Sequence, residues 1–233
     1  MEEKTETETL PQIPAFDRQE GMFYALLIFA GGLVGAYALR LCGALATAQT
    51  GNMMSAIWAF QNGAPGEGWI RVLGVLLYAA GITIAILLPP ALRKRNVDWE
   101  PVYLITEIAL LMTVLLIPED VSQIWRAAPI FLMGSMQFQS FPSCNGVPLT
   151  TLFCTGNFRQ MVVHFWAYRA DHSPMALRRV LVYGTSIIIY MTSVAIGYQL
   201  LLRTRRMGIY LPCAVLLLAL LVRRIDKQTI SKC

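Results

Sequence analysis

Two short polar motifs interrupt apolar regions of this sequence, and their residue types suit the binding of a small solute. The first reads Gln49-Thr50-Gly51-Asn52 and the second reads Cys154-Thr155-Gly156-Asn157. Gly and Asn tolerate a helix break, and Thr or Asn before an apolar run favours a helix start. Each motif therefore predicts a broken helix whose free backbone N–H groups can hold an anion.

Membrane depth decides whether such a motif forms a site. In lipid, a broken helix survives only where it is buried in protein or lines a cavity, whereas the same residues at the membrane surface would be an ordinary helix cap. Two copies at matching positions favour a site. We expect a polar substrate-binding site lined by the following residues: Gln49, Thr50, Gly51, Asn52, Glu107, Gln137, Thr155, Gly156, Asn157 and Arg159.

Three of these residues lie outside the motifs, and each has an alternative interpretation. Glu107 is the only acid well inside an apolar span, where ionisable residues are functional candidates; it could instead pair with Arg126 or lie near an interface. Arg159 follows the second motif on the same helix face as its threonine, where it could hold an anion or snorkel to the headgroups. Gln137 and Gln139 do not share a helix face, so only one of them can point inward.

Catalytic and metal-binding motifs are missing from the sequence. It contains no Gly-x-Ser-x-Gly, no His-Glu-x-x-His and no phosphate-cradling glycine loop, so we do not expect an enzyme. An intramembrane enzyme would need a reactive pair such as His164 with Glu107 within about 3 Å. The five Cys are scattered and only two His are present, so we expect no disulfide framework, metal site or cofactor.

The composition is that of an integral membrane protein. Of the 233 residues, 56% are hydrophobic and 14% are charged, and the mean hydropathy is +0.53. Soluble domains carry about 25% charged residues. The Lys and Arg residues that give the net charge of +5 cluster between apolar runs, which is typical of topology signals and not of a nucleic-acid surface.

Apolar runs predict the transmembrane helices. They cover residues 21–41, 69–88, 101–117, 125–141, 179–202 and 208–222, and about 20 apolar residues suffice to cross a bilayer. Pro89-Pro90 is expected to stop the second run, and residues 169–178 are expected to form a polar loop. Residues 1–20 are expected to be a disordered cytoplasmic tail, and residues 223–233 a basic C-terminal tail.

The second half of the chain repeats features of the first. Thr50 and Thr155 lie 105 residues apart, Arg71-Val72-Leu73 and Arg179-Val180-Leu181 lie 108 apart, and Tyr103-Leu104 and Tyr210-Leu211 lie 107 apart. This ordered series indicates an internal duplication, with membrane repeats at 21–120 and 121–222. Duplicated halves with broken helices at matching positions are typical of secondary transporters.

The relation between the repeats depends on whether the motif helices cross the membrane. If they cross it, the chain has eight spans and parallel repeats; if they are re-entrant, it has six spans and inverted repeats. Both alternatives place more Lys and Arg on the side of the N-terminus, which predicts that both termini are cytoplasmic. The sequence leaves the two topologies open.

Four sequence elements resemble the YoaK-type family of uncharacterised membrane proteins: Gly31-Gly32-x-x-Gly35-Ala36-Tyr37, Ala48-Gln49-Thr50-Gly51-Asn52, Gly134-x-Met136-Gln137 and Thr150-Thr151-x-x-x-Thr155-Gly156-Asn157. The resemblance extends over nearly the whole chain after residue 20. It implies a small multi-spanning protein of the bacterial inner membrane whose biochemical role is unassigned. Members of that family usually carry an Asp where this chain has Gly35, and Gln-Asn-Ala where it has Gln137-Phe138-Gln139.

Together these features predict an all-α integral membrane protein of two homologous halves, each with three transmembrane helices plus a broken or re-entrant motif helix, six to eight spans in all. We predict a small transporter or channel with a central polar site at the two helix breaks, for a small anionic or polar solute. The alternative is a non-transporting membrane scaffold or partner-binding protein. The expected partners are a small-molecule solute and the lipid bilayer, without nucleic acid, and the glycine-rich first helix suggests a homo-oligomer.

Overall fold

The structure, a computed structural model, describes residues 15–45 and 48–230, so most of the predicted tail 1–20 lies outside the described residues. Within this part of the chain, helices are the dominant element, joined by short turns. The α-helices are α1 (Arg18–Cys42), α2 (Gln49–Gln61), α3 (Pro65–Arg93), α4 (Trp99–Thr113), α5 (Gln123–Arg126), α6 (Ala128–Ser140), α7 (Thr155–Asp171), α8 (Pro174–Thr204) and α9 (Tyr210–Ile230).

Among the described residues, four helical stretches are long and apolar enough to cross a membrane. They are Arg18–Cys42, Pro65–Arg93, Trp99–Leu116 and Pro174–Asp226, and the third includes the short 3-10 turn Val114–Leu116 that follows α4. The last stretch holds two helices, because Arg205 has a φ of 49° and a ψ of −124° that separate α8 from α9. The prediction of an all-helical membrane protein is therefore confirmed at this coarse level.

Several helix ends differ from the predicted ones for local reasons. α1 begins at Arg18 and not at residue 21, because the Asp17 side chain accepts hydrogen bonds from the first-turn N–H groups. The prediction that Pro89-Pro90 stops α3 was wrong: the helix continues to Arg93. The fixed φ of proline is compatible with a helix, although each proline removes one N–H donor and crowds the carbonyl of the preceding turn.

The predicted loop 169–178 is also mostly helical. α7 continues to Asp171 and α8 begins at Pro174, so the turn needs only two residues. His172 makes this possible by adopting a left-handed conformation with a φ of 51°. One small element was not predicted, an antiparallel hairpin of β1 (Ser143–Cys144) and β2 (Val147–Pro148) after α6.

The central helix of the bundle is α1. Its most apolar window is 67% buried within the chain, against 17% for α3, whose apolar surface is left for lipid. α1 packs against α8 and α9, and α6 packs against α3 and α4. The glycines of α1 that suggested a homo-oligomer make contacts within the chain, Gly32 and Gly35 with α8 and Gly31 with the Thr151 backbone, and the homo-oligomer stays a prediction.

Two helix crossings in the bundle are built alike. Gly32 of α1 lies so close to Ser193 of α8 that a Cβ atom at Gly32 would overlap the serine hydroxyl, and Gly81 of α3 has the same relation to Ser135 of α6. Each serine hydroxyl donates to the carbonyl three residues earlier, at 2.7 Å for Ser193 and 2.9 Å for Ser135. Small residues allow such close helix contacts in lipid.

Contacts between helix ends give the helix directions. Gly32 meets Ser193 and Ala36 meets Gly197, so α1 and α8 run parallel. Arg223 near the end of α9 pairs with Glu100 at the start of α4, and Arg206 just before α9 donates to carbonyls that follow α4. α4 and α9 therefore run antiparallel.

The directions of the other central helix pairs follow from their contacts in the same way. In α3 and α6, Gly74 meets Phe131 and Gly81 meets Ser135, so these helices are parallel. The rings of Phe23 at the start of α1 and Phe141 just after α6 lie 5.4 Å apart, so α1 and α6 are antiparallel. The Arg223 guanidinium of α9 lies 5.2 Å from the centre of the Phe23 ring, so the start of α1, the end of α6 and the end of α9 lie on one side of the bundle.

Candidate functional site

The second polar motif forms the start of α7, where Asn157 fixes the preceding loop. Asn157 is buried, and its Oδ1 accepts hydrogen bonds from the backbone N–H and the hydroxyl of Thr150, at 3.1 and 2.9 Å. Its Nδ2 donates to the Thr150 carbonyl at 2.8 Å and to Ser186 Oγ of α8 at 3.2 Å. The side chain thus joins the loop, α7 and α8.

The first motif makes an equivalent clasp at the start of α2. Asn52 is also buried, and its Nδ2 donates to the Leu45 carbonyl at 3.1 Å and to Gln49 Oε1 at 3.2 Å. Leu45 precedes Asn52 by seven residues, as Thr150 precedes Asn157. In both motifs the asparagine is therefore used by the fold, while Thr50 and Thr155 are exposed and Gly51 is half-buried.

A cavity of about 630 Å³ adjoins the start of α7, and we call it the α7 cavity. Residues from α6, the hairpin loop, α7 and α8 enclose it. The polar or charged residues that line it are Gln139, Thr150, Asn157, Arg159, Gln160, His164, Arg179 and Tyr183. Gly156 completes the wall at the first turn of α7.

The α7 cavity is electropositive. Arg159 and Arg179 line it, and no Asp or Glu is among its lining residues. The buried Nε of Arg179 has no hydrogen-bond partner among the described residues. The first turn of α7 adds the positive end of the helix dipole, and no side chain caps it. The cavity therefore offers several donors to a negatively charged group.

His164 holds an aromatic wall of this cavity. Its ring stacks on that of Tyr183, with centroids 6.0 Å apart and planes at 2°. Burial, and after it the Arg179 guanidinium, lowers the pKa of His164 below its ordinary value. The imidazole is therefore neutral at pH 7 and leaves the positive charge to the arginines.

The sequence-predicted site residues do not all come together in one place. Gly156, Asn157 and Arg159 come together in the α7 cavity, with Thr155 beside them. Gln49, Thr50, Gly51 and Asn52 lie at the start of α2, and none of them lines any of the three main cavities of the described residues. A central site shared by both motifs stays a prediction.

Gln137 does not line the α7 cavity but is bonded to the loop before α7. It is fully buried whereas Gln139 is exposed, so only one of the pair points inward, as predicted. Its Nε2 donates to the Leu27 carbonyl of α1 at 3.3 Å and to Thr151 Oγ1 at 2.9 Å. Gln137 thereby ties the loop before α7 to the middle of α1.

Glu107 lies apart from the α7 cavity, within the helical core. Its side chain is 0% exposed, and neither carboxylate oxygen has a hydrogen-bond partner among the described residues. Arg126, its suggested partner, is not bonded to it. The reactive pair of Glu107 with His164 is not formed either, since His164 lines the α7 cavity and Glu107 does not.

Sequence reasoning missed several residues that line the α7 cavity. Arg179 and Tyr183 come from α8, and Thr150 comes from the loop before α7. Arg179 had a signal, because it begins the tripeptide that repeats Arg71. Tyr183 had none, since its role depends on the packing of α7 against α8.

The sequence pattern of the DUF1275 family, described as a protein of unknown function, matches residues 23–222. The chain belongs to this family. The match covers both polar motifs and all the helices from α1 to most of α9, in agreement with the resemblance to YoaK-type proteins. No curated protein and no solved structure matches the chain significantly.

Proposed function

We propose that this member of the DUF1275 family is a small membrane transporter or channel, and that its solute is a small anion, or a polar molecule with an acidic group, bound in the α7 cavity. The observation that carries the proposal is the combination of two arginines, an uncapped helix start and no lining acid in one cavity of about 630 Å³. Anions are favoured at such helix starts, and arginine is suited to carboxylate and phosphate groups.

The depth of this cavity in the bundle supports a transport role. Asn157 contacts Ser186, near the middle of the 31-residue helix α8. Gly31, near the middle of α1, is in close contact with the Thr151 backbone. We infer that the segment between α6 and α8 enters from one side, reaches the middle of the membrane and returns, which makes α7 a re-entrant helix.

Helix directions support an inverted repeat. α1 and its counterpart α6 are antiparallel, and so are α4 and its counterpart α9. α3 runs parallel to α6 and α8 runs parallel to α1, so these counterparts are also opposite in direction. We therefore propose six spans in two inverted halves, with the first motif as the matching helix break on the other side, an arrangement that transporters use for alternating access.

Charge supports a cytoplasmic location for both ends of the described chain. The basic residues after α3 and at the start of α8 lie on the same side as the start of α1 and the end of α9. This is the grouping of Lys and Arg that six spans require, and the positive side of a membrane protein faces the cytoplasm. We propose the bacterial inner membrane, from the family resemblance.

Binding is tested by thermal unfolding of the detergent-purified chain with inorganic phosphate, sulfate or chloride. A bound anion raises Tm, and we expect at least one of the three to do so. Arg159→Gln with Arg179→Gln should abolish the rise, whereas Arg169→Gln, an exposed arginine in the last turn of α7, should keep it. An equal rise of Tm in all variants would show that the anion binds outside the α7 cavity. No rise of Tm with any of the three anions would contradict the proposed anion site.

A second candidate function is a non-transporting scaffold, and the two asparagine clasps favour it. Asn52 and Asn157 both donate hydrogen bonds to backbone carbonyls of the chain itself, as expected for residues with a purely structural role at a helix break. Flux of the anion that raises Tm, measured in liposomes, discriminates between the two. Flux that is lost in the double arginine variant supports a transporter, whereas binding without flux supports the scaffold.

A further inference from the structure

Glu107 is a buried acid for which the proposed anion site has no use. It lies in the middle of α4, with 0% of its surface exposed. Both carboxylate oxygens lack a hydrogen-bond partner among the described residues. A carboxylate that is ionised, buried and unpaired is strongly unfavourable, so the group is neutral in this conformation.

A second acid in the same helix shows how an ionised carboxylate is stabilised in this fold. Glu100, two turns earlier, is held by Arg223 through two hydrogen bonds of 3.0 and 2.9 Å. Such a bidentate pair satisfies both oxygens. Glu107 has no such arginine, although both residues are acids of α4, so the two sites differ in protonation.

The surroundings of Glu107 are apolar. The Glu100–Arg223 pair and the bonds of Arg206 set the register of α4 against α9, which places the buried Leu216 opposite Glu107. On the α6 side, Trp99 stacks on Phe141 and Tyr103 packs with Met136, so Glu107 lies near the level of the buried Met133.

Charged groups are distant from this position on every helix packed against α4. α6 carries no titratable side chain between Ala128 and Ser140. On α3 the titratable groups besides Tyr78 lie near the helix ends, and on α9 the closest in register is Cys213. Tyr103, one turn earlier on α4 itself, is the nearest titratable neighbour in sequence, and its hydroxyl donates to the Ile84 carbonyl.

The adjoining helix α6 contains another buried polar atom without a partner. Gln137 is bonded to the Leu27 carbonyl and to Thr151, so its side chain faces α1, but its Oε1 has no hydrogen-bond partner among the described residues. The Ser140 hydroxyl, in contrast, interacts with Tyr103 of α4. Buried polar atoms without a protein partner are commonly satisfied by water, so the Glu107 carboxyl group would gain partners wherever water reaches it.

We propose that Glu107 is a proton-binding site in the membrane interior, protonated in this conformation and deprotonated when a rearrangement of the helices lets water reach its carboxyl group. The reaction is the reversible transfer of one proton between the carboxyl oxygen and water. The coupling of this proton to solute movement rests on the proposed transport function, but the proton site itself does not. Intramembrane acids in transporters commonly serve as proton relays.

Dicyclohexylcarbodiimide tests the proton site directly. This apolar reagent needs a protonated acid: the carboxyl oxygen adds to the carbodiimide carbon, the proton moves to nitrogen, and the acyl group shifts from oxygen to nitrogen. Peptide mass spectrometry at pH 7 should find Glu107 modified at least tenfold more than Glu100, which serves as the ionised control. Equal modification of the two acids would overturn the proposal.

Infrared spectroscopy tests the same proposal without requiring that the reagent reach Glu107. The carbonyl-stretch band of a protonated carboxylic acid should be present at pH 7 in the wild type and lost in Glu107→Gln, which has the same shape but cannot ionise. A band that is unchanged in Glu107→Gln would overturn the proposal even if the reagent does not react.

Coupling is measured in liposomes that contain a pH-sensitive dye. An imposed pH gradient should accelerate wild-type flux of the anion that raises Tm, and should leave flux through Glu107→Gln unchanged. If the gradient acts equally on both proteins, the coupling is refuted while transport stands. If Glu107 is labelled but no anion is transported, the transport proposal fails and the proton site stands.

Discussion

The first turns of α2 and α7 both contain the sequence Thr-Gly-Asn, and in both the asparagine bonds to the backbone of the preceding loop, yet the surroundings of the two helix starts differ in charge. Asn52 and Asn157 each donate to the carbonyl seven residues earlier. In α7 this helix start faces the α7 cavity with Arg159 and His164. At the offset of 105 residues, the corresponding residues of α2 are Met54 and Ala59.

The same contrast extends to the following helices. Arg71 of α3 pairs with Glu67 at 2.8 Å, one turn earlier in the helix. Its counterpart Arg179 has Met175 at the position of Glu67, and its buried Nε has no hydrogen-bond partner in the described part of the chain. The asparagine bond to the preceding loop thus occurs in both halves, whereas at this position an arginine without a neighbouring carboxylate occurs only in the second. We infer that the clasp serves the fold in both halves, whereas solute binding belongs to the second.

Breaking each clasp should have the largest effect and should separate the halves. Asn157→Leu removes four hydrogen bonds, three to the half-buried Thr150 and one to the buried Ser186, and we expect it to lower the free energy of unfolding by about 3 kcal/mol. Asn52→Leu should cost about 1 kcal/mol, because Leu45 is exposed and water can replace the bond. Thermal or denaturant unfolding in detergent measures both, and equal losses would contradict this difference.

The two glycine–serine helix crossings should lose similar stability when their glycines are replaced, which tests whether the two halves of the chain are built alike. Gly32→Ala and Gly81→Ala each force a methyl group against a serine and a backbone carbonyl, and overpacking of this kind costs about 2 kcal/mol. Gly66→Ala is the control, since nothing lies within 4 Å of that position. The two crossing variants should unfold at similarly lowered temperatures, and a large effect in only one would argue against equivalent crossings.

Local signals in the sequence were sufficient to find the elements of this comparison. The Thr-Gly-Asn motifs predicted helix starts, and α2 and α7 begin at Gln49 and Thr155. Both helix starts are short-range features, and so are the apolar runs that became α1, α3, α4, α8 and α9. Pro89-Pro90 was the exception among these local signals, because α3 continues past both prolines to Arg93.

The tertiary part could not be predicted from the sequence. The reach of Asn157 to Thr150 depends on the fold of the loop between them, which includes an unpredicted hairpin. Arg179 lines the α7 cavity only because α8 returns beside α7, and its sequence signal is no stronger than that of Arg71. The unpaired state of Glu107 likewise depends on which residues of α6 and α9 meet α4.

Converting the second half to the charge pattern of the first sharpens the comparison. Met175→Glu places a carboxylate four residues before Arg179, as Glu67 is placed before Arg71. The new pair should weaken anion binding about tenfold, which equals about 1.4 kcal/mol. Isothermal titration with the anion that raises Tm measures it, and unchanged affinity would show that Arg179 does not bind the solute.

The reverse substitution is the matched control. Glu67→Met frees Arg71, but the first half still lacks counterparts of Arg159 and His164. We therefore expect no second binding event in the titration. A new site of comparable affinity would contradict the view that the charge cluster, and not the helix start alone, selects the anion.

The smallest effect should come from pH, through His164. Burial and the Arg179 guanidinium keep the pKa of this imidazole below its ordinary value of 6.5, so it gains a proton only as the pH falls below that value. The added positive charge lies in the α7 cavity, where a bound anion stabilises it, so affinity should rise as the pH falls. A charge of this exposure is worth under about 1 kcal/mol, or about threefold in affinity. The Kd of the anion measured between pH 7 and pH 5 should improve in the wild type and stay level in His164→Gln. A rise of equal size in His164→Gln would assign the pH dependence to another group, and a fall in affinity would place His164 outside the reach of the anion.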